Sequence, residues 1–212
     1  SDLRIEVETG RATLVTPADF PVETIPAWSP DGQTIFLIRR NTDEQAMTIV
    51  AHRVSTRAEQ VLYRTPWITA LALSPDGERL AFFEAERVEG KVVAVLKTFA
   101  RADGSSRVLL RVNMNDIGPY ASATWTEDGQ YLLFTRHAGE ERPAQLAGAR
   151  QVGLWRIPAE GGEPEKLDLE LEGVRNLALA PDGKRLAFTA GRPFASEVWV
   201  LENFLPALKA AK

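Results

Sequence analysis

The chain has 212 residues, 44% of them apolar, a formal net charge of −4 and no cysteine. That suits one large all-β domain, or two small ones, with an ordinary core. Three classes drop out: nucleic-acid binding, because acidic and basic residues are mixed with no basic block; membrane insertion, because no apolar run approaches spanning length; and disulfide, thiolate or cysteine–metal chemistry.

The absence of cysteine suits either side of a membrane. Ser1 opens the sequence with no signal peptide behind it. This fits a removed targeting segment or a piece of something longer.

The first unit is strand, polar turn, strand: LRIEVETGRATLVT from Leu3. A different phrase follows, AWSPDGQTIFLI from Ala27, and it returns as ALSPDGERLAFF from Ala72, TWTEDGQYLLFT from Thr124 and ALAPDGKRLAFT from Ala178. Its glycines, Gly32, Gly77, Gly129 and Gly183, lie 45, 52 and 54 residues apart. The first spacing sits at the upper edge of the roughly 40–45-residue period of WD40-type propeller blades, and the others need loop insertions. Asp-Gly between two apolar runs predicts a tight hairpin, since Gly accepts positive φ and the Asp carboxylate bonds nearby backbone NH groups. The preceding Pro ends the first strand.

The strand after each turn is apolar on both sides. Three and five residues past the glycines stand Ile35 and Leu37, Leu80 and Phe82, Leu132 and Phe134, Leu186 and Phe188. Between them lie Phe36, Ala81, Leu133 and Ala187. A strand covered on both faces has this pattern, as each propeller blade is sandwiched between two neighbours. Trp28 and Trp125, four residues before their glycines, read as core.

The strand–turn–strand unit alternates with the SPDG phrase: TIVAHRVSTRAEQVLYR from Thr48, VLKTFARADGSSRVLLR from Val95, GLWRIPAEGGEPEKLDL from Gly153, and a half-copy, EVWVLENF, from Glu197. With the strands of a blade named A to D, the chain reads C-D, three times A-B-C-D, then A-B-C. The predicted pieces are 1–16, 25–64, 70–112, 122–169 and 175–204, with a weakly helical tail at 205–212 limited by Pro206. Sixteen or so short strands without helical periodicity give an all-β fold, a β-propeller of four-stranded antiparallel blades, about four in this chain.

The SPDG-type phrases and the EVWV and GLWRI strands resemble the PD40 repeats of TolB-like, WD40-like propellers over nearly the whole chain. Thr126-Glu127 departs from Ser-Pro but keeps the Asp-Gly turn. The resemblance implies a bacterial propeller protein, periplasmic or extracellular, that recognises a protein or peptide and needs no cofactor. The alternative it implies is the propeller of a prolyl-oligopeptidase-like serine peptidase whose catalytic domain lies elsewhere. Closure is open. A closed four-blade ring would use Arg11–Val15 as the missing D strand, but leaves Leu3–Val7 over. That leftover favours a part of a larger or split propeller, and two copies completing each other is the third route.

No catalytic constellation emerges. His52 and His137 are the only histidines, one in a predicted strand and one at the start of a long loop. There is no G-x-S-x-G elbow and no zinc motif. Asn41-Thr42-Asp43-Glu44 lacks calcium-loop spacing. Recognition falls to the D–A and B–C loops, which gather on one face around a propeller's channel. The D–A segments are 16–24, 65–69, 113–120 and 170–175. The B–C segments are 39–46, 84–90, 136–152 and 190–196. Seven residues past the glycines stand Arg39, Glu84, Arg136 and Ala190, whose differing charge suggests a mixed-charge binding ring. Trp67 and Tyr120 are candidate aromatic anchors, although Trp67 suits packing between blades as well. Asn115, Asp116, His137 and Arg192 complete the candidate set. No catalytic or metal residue is expected.

Overall fold

A computed structural model describes residues 3–5, 12–14, 26–41, 43–117, 121–137, 151–172, 174–180, 182–192 and 195–202. It contains 17 strands in these residues. β1 (Leu3–Ile5) pairs with β2 (Ala12–Leu14) as a two-stranded sheet. Blade 1 is β3 (Ala27–Trp28), β4 (Thr34–Asn41), β5 (Ala46–Arg53) and β6 (Glu59–Thr65). Blade 2 is β7 (Ile68–Leu73), β8 (Arg79–Val88), β9 (Lys91–Ala100) and β10 (Ser106–Asn113). Blade 3 is β11 (Ala123–Trp125), β12 (Tyr131–His137), β13 (Gln151–Pro158) and β14 (Glu165–Glu172). Blade 4 is β15 (Arg175–Leu179), β16 (Arg185–Arg192) and β17 (Ala195–Glu202). Each blade is an antiparallel meander in chain order. The first strands of successive blades touch, β3 with β7, β7 with β11 and β11 with β15. The fold is a β-propeller.

The repeated turn is built the same way each time. The glycine takes positive φ, from 65° to 77°. The Asp accepts from the amide two residues on: Gln33 N to Asp31 Oδ1 3.0 Å, Glu78 N to Asp76 Oδ1 2.9 Å, Gln130 N to Asp128 Oδ1 3.0 Å, Lys184 N to Asp182 Oδ1 3.0 Å. In blades 1 to 3 a hydroxyl two residues before the Asp donates to the same carboxylate: Ser29, Ser74 and Thr126 at 2.5, 2.5 and 2.6 Å. These bonds hold the carboxyls of Asp31 and Asp76 below their ordinary range, the hydroxyl contributing most. The departure at Thr126-Glu127 therefore keeps both the hydroxyl and the Asp-Gly pair. The tips also stack, for a Cβ on Gly77 would meet Pro30 at 3.1 Å, and one on Gly183 would meet Glu127 at 2.8 Å.

The alternation of β4, β8, β12 and β16 sorts the core by direction. Residues three and five past each glycine face the preceding blade, and those four and six past it face the following one. Leu80 and Phe82 of blade 2 pack with Phe36, Ile38, Met47 and Ile49 of blade 1. Leu132 and Phe134 of blade 3 pack with Ala81, Phe83, Ala94 and Leu96 of blade 2. Leu186 and Phe188 of blade 4 pack with Leu133, Val152 and Leu154 of blade 3. Ile35 and Leu37 of blade 1, with Val50, are fully buried on its preceding side.

The expectation that both tryptophans are core holds for only one. Trp125 is buried and its Nε1 donates to Ala72 O at 3.4 Å across the blade boundary. Trp28 is 39% exposed. Trp125 has blade 2 to lie against, whereas no described blade stands on the corresponding side of Trp28.

Candidate functional site

The expected charge ring can be followed residue by residue. Arg39, at the end of β4, donates to Glu59 Oε2 of β6 at 2.6 Å. Glu59 also lies 3.2 Å from His52 Nδ1, and His52 is buried with no partner for its Nε2. Burial raises the Glu59 carboxyl, but Arg39 and His52 outweigh it and the net direction is down.

Glu84 departs from expectation. Segment 84–90 is not a loop: β8 runs to Val88 and β9 starts at Lys91. The turn is only Glu89-Gly90, both at positive φ (48° and 80°), as a two-residue hairpin requires. Glu84 is thus inside a strand and buried. Its carboxylate accepts from Lys97 Nζ on β9 and from Tyr63 Oη of blade 1 at 2.8 Å. Burial, then the Glu84 carboxylate, push Tyr63 above its ordinary range. Burial pulls Lys97 down, but Glu84 more than reverses it and the net direction is up.

Arg136, at the same repeat position in blade 3, reaches the turn that connects blades 2 and 3. Its Nε and Nη2 donate to Asp116 Oδ2 at 3.2 and 2.6 Å. Its guanidinium lies over the Trp155 ring at 5.2 Å. Trp155 stands opposite Phe134 in β13 as Lys97 stands opposite Phe82 in β9. The charges at this position vary because each is matched by its own partners. Glu84 is set by Lys97 and Tyr63, and Arg136 by Asp116 and Trp155. Glu84 joins blade 2 to blade 1, and Arg136 joins blade 3 to the turn before it. Arg39 is matched within its own blade.

Of the remaining candidates, Asp116 ends a short 3-10 turn, Met114–Asp116, capped by the Asn113 side chain, which accepts from Asn115 N at 2.9 Å. Asn115 is exposed beside it. Trp67 is half-buried and packs against the apolar clusters on both sides of blade 2. His137 is half-buried at the end of β12. Arg192 ends β16 opposite Ala195. Tyr120, segment 138–150 and the tail 205–212 lie outside the described residues. Of the candidate set, Asp116 and Arg136 are brought into direct contact. Sequence reasoning missed Tyr63, Lys97 and Trp155. The signal available for the last two was their place opposite the Phe five residues past the glycine. Among the described residues no group of three or more His, Asp or Glu could hold a metal ion. The apolar cleft between blades 3 and 4, lined by Val152, Leu154, Leu177 and Phe188 among others, has Thr135 as its one polar side chain.

No protein-family model matches the sequence, and no curated protein does. Solved structures match the fold. TolB from Acinetobacter baumannii superposes with a TM-score of 0.68 at 19% identity, over 94% of this chain and 45% of that one. An oligogalacturonate lyase in complex with manganese gives 0.60 at 18%, over 94% and 55%. The β-propeller domain of the Trilobed protease from Pyrococcus furiosus gives 0.56 at 16%, over 94% and 58%. The chain spans about half the length of these structures. The class is therefore a β-propeller with TolB-like structural neighbours. No helix among the described residues is long and apolar enough to cross a membrane.

Proposed function

We propose that the chain is a non-catalytic propeller scaffold that recognises a protein or peptide, as a sensory or assembly module of a bacterial envelope protein in the periplasm. One observation carries this reading: the charged side chains seven residues past the glycines of blades 1 to 3 are tied into local partners. Arg39 is held by Glu59, Glu84 by Lys97 and Tyr63, and Arg136 by Asp116. These pairs hold Arg39 and Arg136 near the ends of their strands and fix Glu84 inside β8. The exposed Asn115 and the rim of the Arg136–Asp116 pair supply polar contacts of the adaptable kind that recognition uses.

The test is selection from a displayed peptide library on the immobilised chain, followed by charge reversal at Arg39 and Arg136. Recognition at this face predicts a weaker selected peptide for both variants. Unchanged affinity would refute it. The likeness to the Pyrococcus furiosus protease propeller favours a second reading, a peptidase propeller acting with a hydrolase domain. That reading predicts peptide hydrolysis only when such a domain is present.

A further inference from the structure

The chain holds five Asp-Gly pairs: Asp31-Gly32, Asp76-Gly77, Asp103-Gly104, Asp128-Gly129 and Asp182-Gly183. Asp-Gly is open to ring closure, because glycine leaves its own amide nitrogen unshielded and lets the backbone rotate. In the first step the Gly nitrogen attacks Cγ of the protonated Asp side chain. The N–Cγ bond forms, the C–OH bond breaks, and water leaves with the amide proton. In the second step water adds to either carbonyl of the five-membered imide and one C–N bond breaks. Opening at the main-chain carbonyl leaves isoaspartate, whose chain runs through Cβ and Cγ. Water is the one co-reactant, and the mass is unchanged. In all five pairs the glycine amide donates to an upstream carbonyl, at 2.8 to 3.0 Å. Freeing it breaks the same kind of bond everywhere, so the grip on the Asp carboxylate makes the difference.

In the four repeated tips two residues hold the carboxylate. Asp31, Asp76 and Asp128 each accept from a hydroxyl two residues before and an amide two residues after. Asp182 has Ala180 in the upstream place, but besides the Lys184 amide Arg185 grips its Oδ2 through Nε and Nη2 at 3.1 and 2.9 Å. Three of these tips are also covered by the blade before, with Pro30 over Gly77, Pro75 over Gly129 and Glu127 over Gly183. Asp103 stands instead in the turn between β9 and β10. Arg101 takes the place of the upstream hydroxyl, and the carboxylate is held from one side, by Ser105, whose amide donates to Oδ1 at 2.9 Å. Beyond its chain neighbours nothing lies within 4 Å of a Cβ on Gly104, and the turn is exposed. We propose that Asp103-Gly104 is a modification site, the pair at which the folded chain forms isoaspartate and becomes a substrate for a protein-isoaspartate carboxyl methyltransferase. The change reaches the core. Arg101, in the same turn, donates to the Gly77 carbonyl and lies over the Phe36 ring of blade 1 at 4.8 Å. An extra main-chain carbon two residues away shifts this latch between blades 1 and 2.

The test is ageing of the folded full chain in neutral buffer at physiological temperature. Electron-transfer fragmentation of its peptides separates aspartate from isoaspartate at each site, and methyl transfer by the methyltransferase counts the total. Asp103 is expected to convert about tenfold faster than any of the four tip residues, the rate equivalent of one missing hydrogen bond to a charged group. D103E, whose longer side chain would have to close a six-membered ring, should lose most of the methyl acceptance with an unchanged thermal midpoint. S29A should raise conversion at Asp31 by a similar factor, since Gly32 is uncovered. S74A should raise it less at Asp76, because Pro30 still lies over Gly77. Conversion of Asp103 no faster than that of the tips overturns the proposal. So does a folded chain that keeps Asp103 intact while its urea-unfolded form converts it, since the hold from Ser105 would then be protection enough. No rise at Asp31 in S29A would overturn the reason for which Asp103 is singled out.

Discussion

Blades 3 and 4 present the same strands to opposite fates. In blade 3, Leu154 stands across from Thr135, and in blade 4, Val198 stands across from Thr189. The chemistry is nearly the same, yet Leu154 is 4% exposed and Val198 76%. The difference lies in what stands beyond. Leu186 and Phe188 of blade 4 cover Leu154, and no described residue does this for Val198. In a propeller a blade's sequence is written for its neighbour. Burial belongs to the stack, so a blade side can be apolar in pattern and still be surface.

The comparison breaks most visibly at the covered sides. Phe82→Ala empties a fully buried position between blades 1 and 2 and should cost about 3–5 kcal/mol. Val198→Ala should stay within about 0.5 kcal/mol. Urea unfolding of the two variants measures both. Equal losses would mean that the fourth blade is as enclosed as the others.

The polar bridges come next. Glu84→Ala strands Lys97 and the Tyr63 hydroxyl in a buried site and should cost about 2–4 kcal/mol. The double variant Glu84→Met/Lys97→Met should lose less than the single one. A double-mutant cycle reads this coupling, and simple additivity would remove the bridge from the account. The exposed partner pair, Arg111 with Glu86 at 3.3 Å, should show coupling below about 1 kcal/mol.

Smaller again is the stacking of turn tips. Gly77→Ala places a Cβ 3.1 Å from Pro30 at φ +77° and should cost about 1–2 kcal/mol. Gly32→Ala, with open space around it, should cost only the backbone part of that. A shift in unfolding midpoint that is the same for both would argue against tip packing.

The smallest effect is alkaline. Tyr63 and Lys97 both titrate above their ordinary values of 10.0 and 10.5. Groups raised in the folded state contribute stability that is complete below the unfolded value and is lost as pH rises through the folded one. Stability should therefore fall above about pH 10, and fall less in Tyr63→Phe/Lys97→Met. Midpoints measured from pH 8 to 11 would show it.

The repeat was legible because turn chemistry is local. Asp-Gly with an upstream hydroxyl specifies a hairpin wherever it occurs, and the two-residue alternation follows from it. The direction of each side was not legible. Both faces of β8 and β12 are apolar, and only the stack tells which neighbour each one meets. Glu84 was misplaced for a related reason. Its stretch, EAERVEG, has the composition of a loop, yet it continues the strand, and Lys97 and Tyr63, distant in sequence, supply the charge and the hydroxyl donor that meet the buried carboxylate. Arg136 and Asp116 both stand among the candidates as separate ligand contacts, since their pairing depends on how the turn before blade 3 folds back on β12. Reading Trp28 as core rests on repeat equivalence alone, which fails where no described blade stands alongside.

Amide hydrogen exchange on the free chain, followed strand by strand, tests the central claim most directly. The third strands β5, β9 and β13 lie between paired strands and beneath a covering blade, and should exchange slowly and together. β17, equivalent in sequence register but open on one face, should exchange far faster. Protection of β17 equal to that of its three counterparts would contradict the account.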